Sequence, residues 1–135
     1  MCTSGIYTIN NAPTSVAIGG TIPLGSAIHR FGSALNLNGN AINITESGYY
    51  EFITSAIANP TAAGTVTITM YRDGVAVPGA IGSASVTTAG NPVTISFPFV
   101  AKINCCGDTS TVTYVLSGSA STVNNIAVVA KKIGC

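Results

Sequence analysis

Four cysteines, four carboxylates and one histidine hold most of the reactive chemistry in this chain of 135 residues. His29 is the one side chain whose ordinary pKa lies near neutrality. The carboxylates are Glu46, Glu51, Asp73 and Asp108. General acid–base catalysis needs such groups positioned over a reacting atom. Each carboxylate has a simpler use. Asp73 precedes Gly74 in a two-residue hairpin signal, and Asp108 follows Gly107 in a turn signal. Glu51 alternates with Tyr50 and Phe52, so it faces away from the core they join. His29 stands beside Arg30 and reads as a surface or interface residue. A nucleophile pair of Cys105 or Cys106 with His29 lacks a third group to orient the imidazole. No glycine-rich loop follows a strand and opens a helix, so no phosphate cradle is offered. The expectation is a non-enzyme with no catalytic residues, no cofactor and no assigned metal.

The cysteines, Cys2, Cys105, Cys106 and Cys135, leave three readings open. Four cysteines allow three intrachain connectivities, and spacing does not choose among them. Disulfides within or between subunits are one reading, since such bonds persist in oxidising surroundings. Free thiols packed as small hydrophobes are another. Metal binding is the third. Soft thiolates suit zinc, but no C-x-x-C spacing occurs and adjacent Cys105 and Cys106 are an unusual ligand pair. A direct Cys105–Cys106 bridge is strained.

Charge is scarce elsewhere too. Charged residues make up 7% of the chain and hydrophobic ones 47%, against roughly 25% charged in an average soluble domain. Mean hydropathy is +0.50. The cations Arg30, Arg72, Lys102, Lys131 and Lys132 form no stripe, so no nucleic-acid footprint exists. No apolar run of about 18 residues occurs, which argues against a membrane-spanning helix. The start, Met1 to Gly5, lacks the pattern of a signal peptide, so synthesis in a cytoplasm is expected. Apolar surface that a membrane does not cover calls for another cover, and a second copy of the chain is the leading candidate.

The elements that position these residues are strands. No stretch shows apolar residues at helical spacing, while alternating runs recur between turn signals. The clearest are Val66–Tyr71, Val93–Phe99, Thr111–Leu116 and Ile126–Ala130. Others span Ile6–Ile9, Val16–Ile18, Ile42–Ile44 and Tyr49–Ile57. Pro98 removes a ladder donor, which predicts an edge strand or a bulge there. Thr111–Leu116 and Ile126–Ala130 are apolar on both faces. Eight to ten strands without a crossover helix exclude a parallel sheet. The expected fold is all-β, an antiparallel two-sheet jelly-roll sandwich, with residues 1–135 as a single domain.

Gly48-Tyr49-Tyr50-Glu51-Phe52 resembles the Gly-x-Tyr-x-Phe strand of C1q/TNF-like jelly-roll domains. Met70-Tyr71-Arg72-Asp73-Gly74 resembles that family's strand ending in an Asn/Asp-Gly hairpin. Cys106-Gly107-Asp108 stands where the family has a Gly-Asp turn, and Ile126–Ile133 looks like its closing strand. Pro60–Thr67 together with Asp73–Gly79 also resembles small phage- and prophage-encoded proteins of virion surfaces. A related domain tips the filaments of spore surfaces.

The resemblance implies a homotrimer with one sheet of each subunit toward the threefold axis. It implies that the first and last strands pair, with the last beside the third and the third beside the sixth. That mapping brings Cys2, Cys135 and the Cys105-Cys106 turn to one pole. It makes Tyr50, Phe52, Phe97, Phe99, Tyr114, Leu116 and Val128 candidates for the core or the trimer interface. The function it implies is structural: a trimeric capsid decoration protein on the exterior of a bacteriophage head, with the major capsid protein as partner and no nucleic acid or membrane. The alternatives are a spore-surface trimer, or a head module that binds glycans or a receptor. Tyr7, Phe31, Tyr49 and Tyr71 are the aromatics left free for sugar binding.

Overall fold

The structure, a computed structural model, describes residues 4–103 and 110–134. These form eleven strands: β1 (Gly5–Asn10), β2 (Thr14–Val16), β3 (Ser26–Phe31), β4 (Leu35–Asn38), β5 (Ala41–Ile44), β6 (Gly48–Pro60), β7 (Gly64–Arg72), β8 (Val75–Val86), β9 (Val93–Ile103), β10 (Ser110–Ser117) and β11 (Ser121–Gly134). Sheet I runs β3-β1-β11-β6-β9, with β2 also paired to β11. Sheet II runs β4-β5-β10-β7-β8. All pairings are antiparallel. This is the jelly-roll sandwich, with β11 between β1 and β6 and β9 beyond β6.

Sequence and structure differ at four places, one of them the short β4, which the sequence reading did not name. The strand expected over Val16–Ile18 lies at Thr14–Val16 instead. Beyond it the chain turns: Gly20 N donates to Ala17 O and Gly19 N to Leu116 O, leaving Ile18 exposed. Neither β3 nor β8 stood out in the sequence. In β8 the residues Pro78, Gly79 and Gly82 interrupt any alternating pattern, yet the strand pairs with β7 from Gly64↔Val86 to Arg72↔Val75. Every β3 residue is exposed, so β3 lacks a buried face for a pattern to mark.

Turn chemistry sets two registers. Asp73 and Gly74 both adopt positive φ, 52° and 83°, which suits the right-handed twist of the β7–β8 hairpin. The turn is also tied to β10: Asp73 N donates to Thr111 O, and Thr111 N donates to Asp73 Oδ1, both at 2.8 Å. Gly39-Asn40 closes the β4–β5 hairpin between Asn38 and Ala41. Pro98 lies on β9, an edge strand of sheet I, opposite Ile53.

The core fills the space between the sheets. Sheet I contributes Ile6, Tyr50, Phe52, Ala56, Ile95, Phe97, Ile126, Val128 and Ala130. Sheet II contributes Ile42, Ile44, Val66, Ile68, Met70, Val112, Tyr114 and Leu116. Tyr114 crosses the sandwich. Its ring sits 6.1 Å from that of Phe97, and its hydroxyl accepts a 2.7 Å hydrogen bond from Thr54 Oγ1. Burial pushes the Tyr114 phenol well above its usual pKa.

That buried bond is testable. Tyr114→Phe strands the Thr54 hydroxyl without its partner, and the expected loss of stability is about 1–3 kcal/mol by chemical denaturation. Combining it with Thr54→Val removes both polar groups and should restore most of that loss. A double variant as unstable as the single one would show that packing, not the hydrogen bond, sets the cost.

Candidate functional site: the outer face of sheet I

Strand alternation places two kinds of residue on β6. Tyr50, Phe52, Thr54, Ala56 and Ala58 are buried toward the core, while Tyr49, Glu51, Ile53, Ser55 and Ile57 point outward. β11 is built the same way, with Val128 and Ala130 inside and Ala127, Val129 and Lys131 outside. Register then assembles rows across the outer face. One row reads His29, Tyr7, Val129, Ile53, Pro98. The next reads Phe31, Gly5, Lys131, Glu51, Val100. On the other side lie Ile9, Ala127, Ser55 and Ser96.

The result is a broad apolar surface. Phe31 is 57% exposed, Val100 54% and Ile53 47%, and Tyr49, Ile57 and Val129 are also exposed on this face. Six of the eleven exposed large hydrophobics among the described residues therefore belong to one side of one sheet. Scattered single hydrophobics are ordinary on a surface; a contiguous patch marks an interaction site. The outer face of sheet II is different. Most of its positions carry Thr67, Thr69, Tyr71, Thr111, Thr113, Asn43 and Asn36, whose hydroxyls and amides suit water, with Val115 and the exposed Ile81 on either side of Thr69.

The apolar face also has relief. Phe31 lies over Gly5, where any Cβ would fall 2.5 Å from its ring. A depression of about 110 Å³ opens beside it, lined by Gly5, Tyr7, His29, Phe31, Val129 and Lys131. His29 stacks on Tyr7 with ring centroids 6.4 Å apart and planes 16° apart. Lys131 Nζ meets Glu51 Oε1 at 3.4 Å in the middle of the sheet. At the border, Lys102 Nζ stands 5.7 Å from the centre of the Tyr49 ring.

The remaining ionisable groups are engaged in holding the fold. Glu46 accepts from Lys132 Nζ at 3.2 Å and from Ser33 Oγ at 3.1 Å. These bonds, the Lys132 one foremost, hold the Glu46 carboxyl below its ordinary pKa. Tyr50 donates to the Glu46 carbonyl at 2.8 Å, and burial pushes its phenol up to about 12, with the Glu46 charge adding to the rise. A cleft of about 430 Å³ on the open side between β8 and β9 is lined by Arg72, Asp73, Val75, Val77, Phe99 and Lys102, among others. Its carboxylate, Asp73, is committed to Thr111 N and to Arg72 at 4.0 Å. Among the described residues no three His, Cys, Asp or Glu side chains form a metal-holding group.

Of the residues singled out in the sequence, Tyr50, Phe52, Phe97, Tyr114, Leu116 and Val128 are buried inside the chain, and Phe99 is half-buried against them. The strand carrying Tyr114 and Leu116 belongs to sheet II, so its second face meets the hydroxyl-rich surface rather than the apolar one. Cys2, Cys105, Cys106 and Cys135 lie outside the described residues, as do Gly107 and Asp108. Among the described residues, Ser4 O accepts from Lys132 N, and Gly48 pairs with Ile103 and abuts Gly134. Of the outward residues, Ile53, Ile57 and Val100 were not singled out, whereas Phe31 was named as a free aromatic and Val129 lies in the run read as apolar on both faces. The spacing of Tyr49, Ile53 and Ile57 between the inward Tyr50, Phe52 and Ala56 was the available signal.

No family model matches the chain, and no curated protein matches it. Solved structures do. Murine APRIL aligns with a TM-score of 0.72 at 14% identity, covering 97% of this chain and 99% of that one. PRD1 vertex protein P5 aligns at 0.65 and 17% identity, covering 98% and 99%. The globular domain of the zebrafish complement 1qA protein aligns at 0.69 and 9% identity, covering 96% and 95%. The fold is the C1q/TNF-like jelly roll.

The Glu46 contacts carry a signed pH dependence. A carboxyl whose pKa is depressed by folding adds stability above its unfolded value, and that stability is lost as pH falls through the folded value. Wild-type protein should therefore lose stability as pH drops below the ordinary 4.5. Glu46→Gln should be less stable near neutrality and lose less on acidification. Parallel denaturation curves for the two proteins at all pH values would contradict this role.

Proposed function

We propose that this chain is a non-enzymatic structural protein of a virion surface. Three copies assemble through the outer face of sheet I, and the trimer binds the exterior of a bacteriophage head, with the major capsid protein as partner. The observation that carries the reading is the apolar face itself. A chain with 7% charged residues puts one ion pair on the central strands of this sheet and leaves the sheet otherwise largely apolar on both sides. The occupant is a second copy because the face is nearly neutral: Lys131 and Glu51 offset each other, so identical surfaces approach without net repulsion. Covering each Ile or Val side chain on such a face contributes about 1.5–3 kcal/mol. The virion location draws on the phage-protein resemblance at Pro60–Thr67 and Asp73–Gly79, and on the full-length likeness to a protein named as a vertex protein.

The copies should sediment as one trimeric species at micromolar concentration. Ile53→Asp places a charge at the centre of the face and should weaken association by about a hundredfold or more while the monomer still folds. A wild-type chain that stays monomeric would remove the assembly reading. For the location, the protein should copurify with phage heads in a fixed ratio, and its deletion should leave host adsorption intact. Loss of adsorption would instead make it a receptor- or glycan-binding head module, and absence from heads would end the decoration reading.

A further inference from the structure

We propose that the Lys131–Glu51 pair fixes the register in which the copies meet, acting as the specificity element of the assembly face; this rests on the reading that the copies assemble through that face. The pair joins residues directly opposite each other on β11 and β6, the central strands of sheet I. Apolar side chains surround it. Phe31 and Val100 flank its row, and Val129 and Ile53 fill the next. Tyr49 stands two residues from Glu51 on the same face of β6. The other ion pairs among the described residues, Arg72–Asp73 and Lys132–Glu46, belong to a turn and to the loop before β6.

Stability of the single chain does not account for this placement. Side-chain exposures of 51% and 33% put the pair in the class of surface ion pairs, which contribute little. Its effect appears when another copy covers the face. A uniform apolar surface accepts many overlaps of similar energy, and sliding by one row of side chains costs little. A charged pair at one point changes that. Any overlap that presses an apolar side chain onto Lys131 and Glu51 strips their water without replacing it. Overlaps that leave the pair hydrated, or bring pairs from different copies together, are spared. A buried polar element that costs stability yet selects register and copy number has precedent in helical coiled coils.

The test compares wild type with Glu51→Gln, with the double variant Glu51→Met plus Lys131→Met, and with the swapped pair Glu51→Lys plus Lys131→Glu. Native mass spectrometry reads copy number, and dilution reads affinity. Both residues are on the surface, so all variants should fold, and thermal melts of the monomeric fraction check this. Glu51→Gln leaves the ammonium alone and should weaken assembly tenfold or more. The Met double variant should associate at least as tightly as wild type but as a mixture of copy numbers. The swapped pair should restore one species. A Met double variant that remains a uniform trimer, or a swapped pair that stays mixed, overturns the proposal while leaving the trimer in place. A monomeric wild type overturns both.

Discussion

Period-two alternation in the two central strands of sheet I is the constraint on which this molecule turns. Side chains on β6 and β11 must point alternately to the two faces. Both strands are apolar at inward positions, which joins the sheets through Tyr50, Phe52, Val128 and Ala130. Both are also apolar at several outward positions, at Ile53, Ile57 and Val129. One set of residues makes the core and the other makes the exposed apolar face of sheet I. Neither set can be moved without the other, because a shift of one residue in register exchanges them.

The sequence made the sandwich legible because most strands had one polar face. Val66, Ile68 and Met70 against Thr67, Thr69 and Tyr71 mark the middle of β7, and the Asp73-Gly74 turn supplies its hairpin. The strand order, with β11 between β1 and β6, matches what the family resemblance implied. β3 and β8 stayed hidden for physical reasons. β3 is exposed throughout, and β8 is interrupted by Pro78, Gly79 and Gly82, so tertiary pairing rather than local pattern holds them. The apolar outer face of sheet I was harder still. Tyr50, Phe52 and Val128 attracted attention as large buried side chains, but a face is defined by the residues between them. Which row lies beside which depends on cross-strand register, and that is not written in any one segment.

Scarcity of charge connects these levels. Glu46, Lys132 and Ser33 tie the end of β11 to the loop before β6. Asp73 pins its turn to β10. Sheet II meets solvent mainly through threonine and asparagine instead of lysine and glutamate. Few charges are then left over, and the outer face of sheet I holds a single ion pair on its central strands.

The borders of sheet I disfavour one kind of association. β9 carries Pro98 at mid-strand, and β3 pairs with β1 through a register shift at Tyr7/Thr8. A proline supplies no ladder donor, and a bulge twists an edge away from a neighbour. Backbone-to-backbone extension from one molecule to the next is thereby discouraged at both ends of the sheet. Growth by strand addition is how apolar β-proteins pass into open fibres. With those two edges blunted, the assembly proposed above would rest on side-chain contact across the outer face of sheet I, and contact of that kind can close on a finite number of copies.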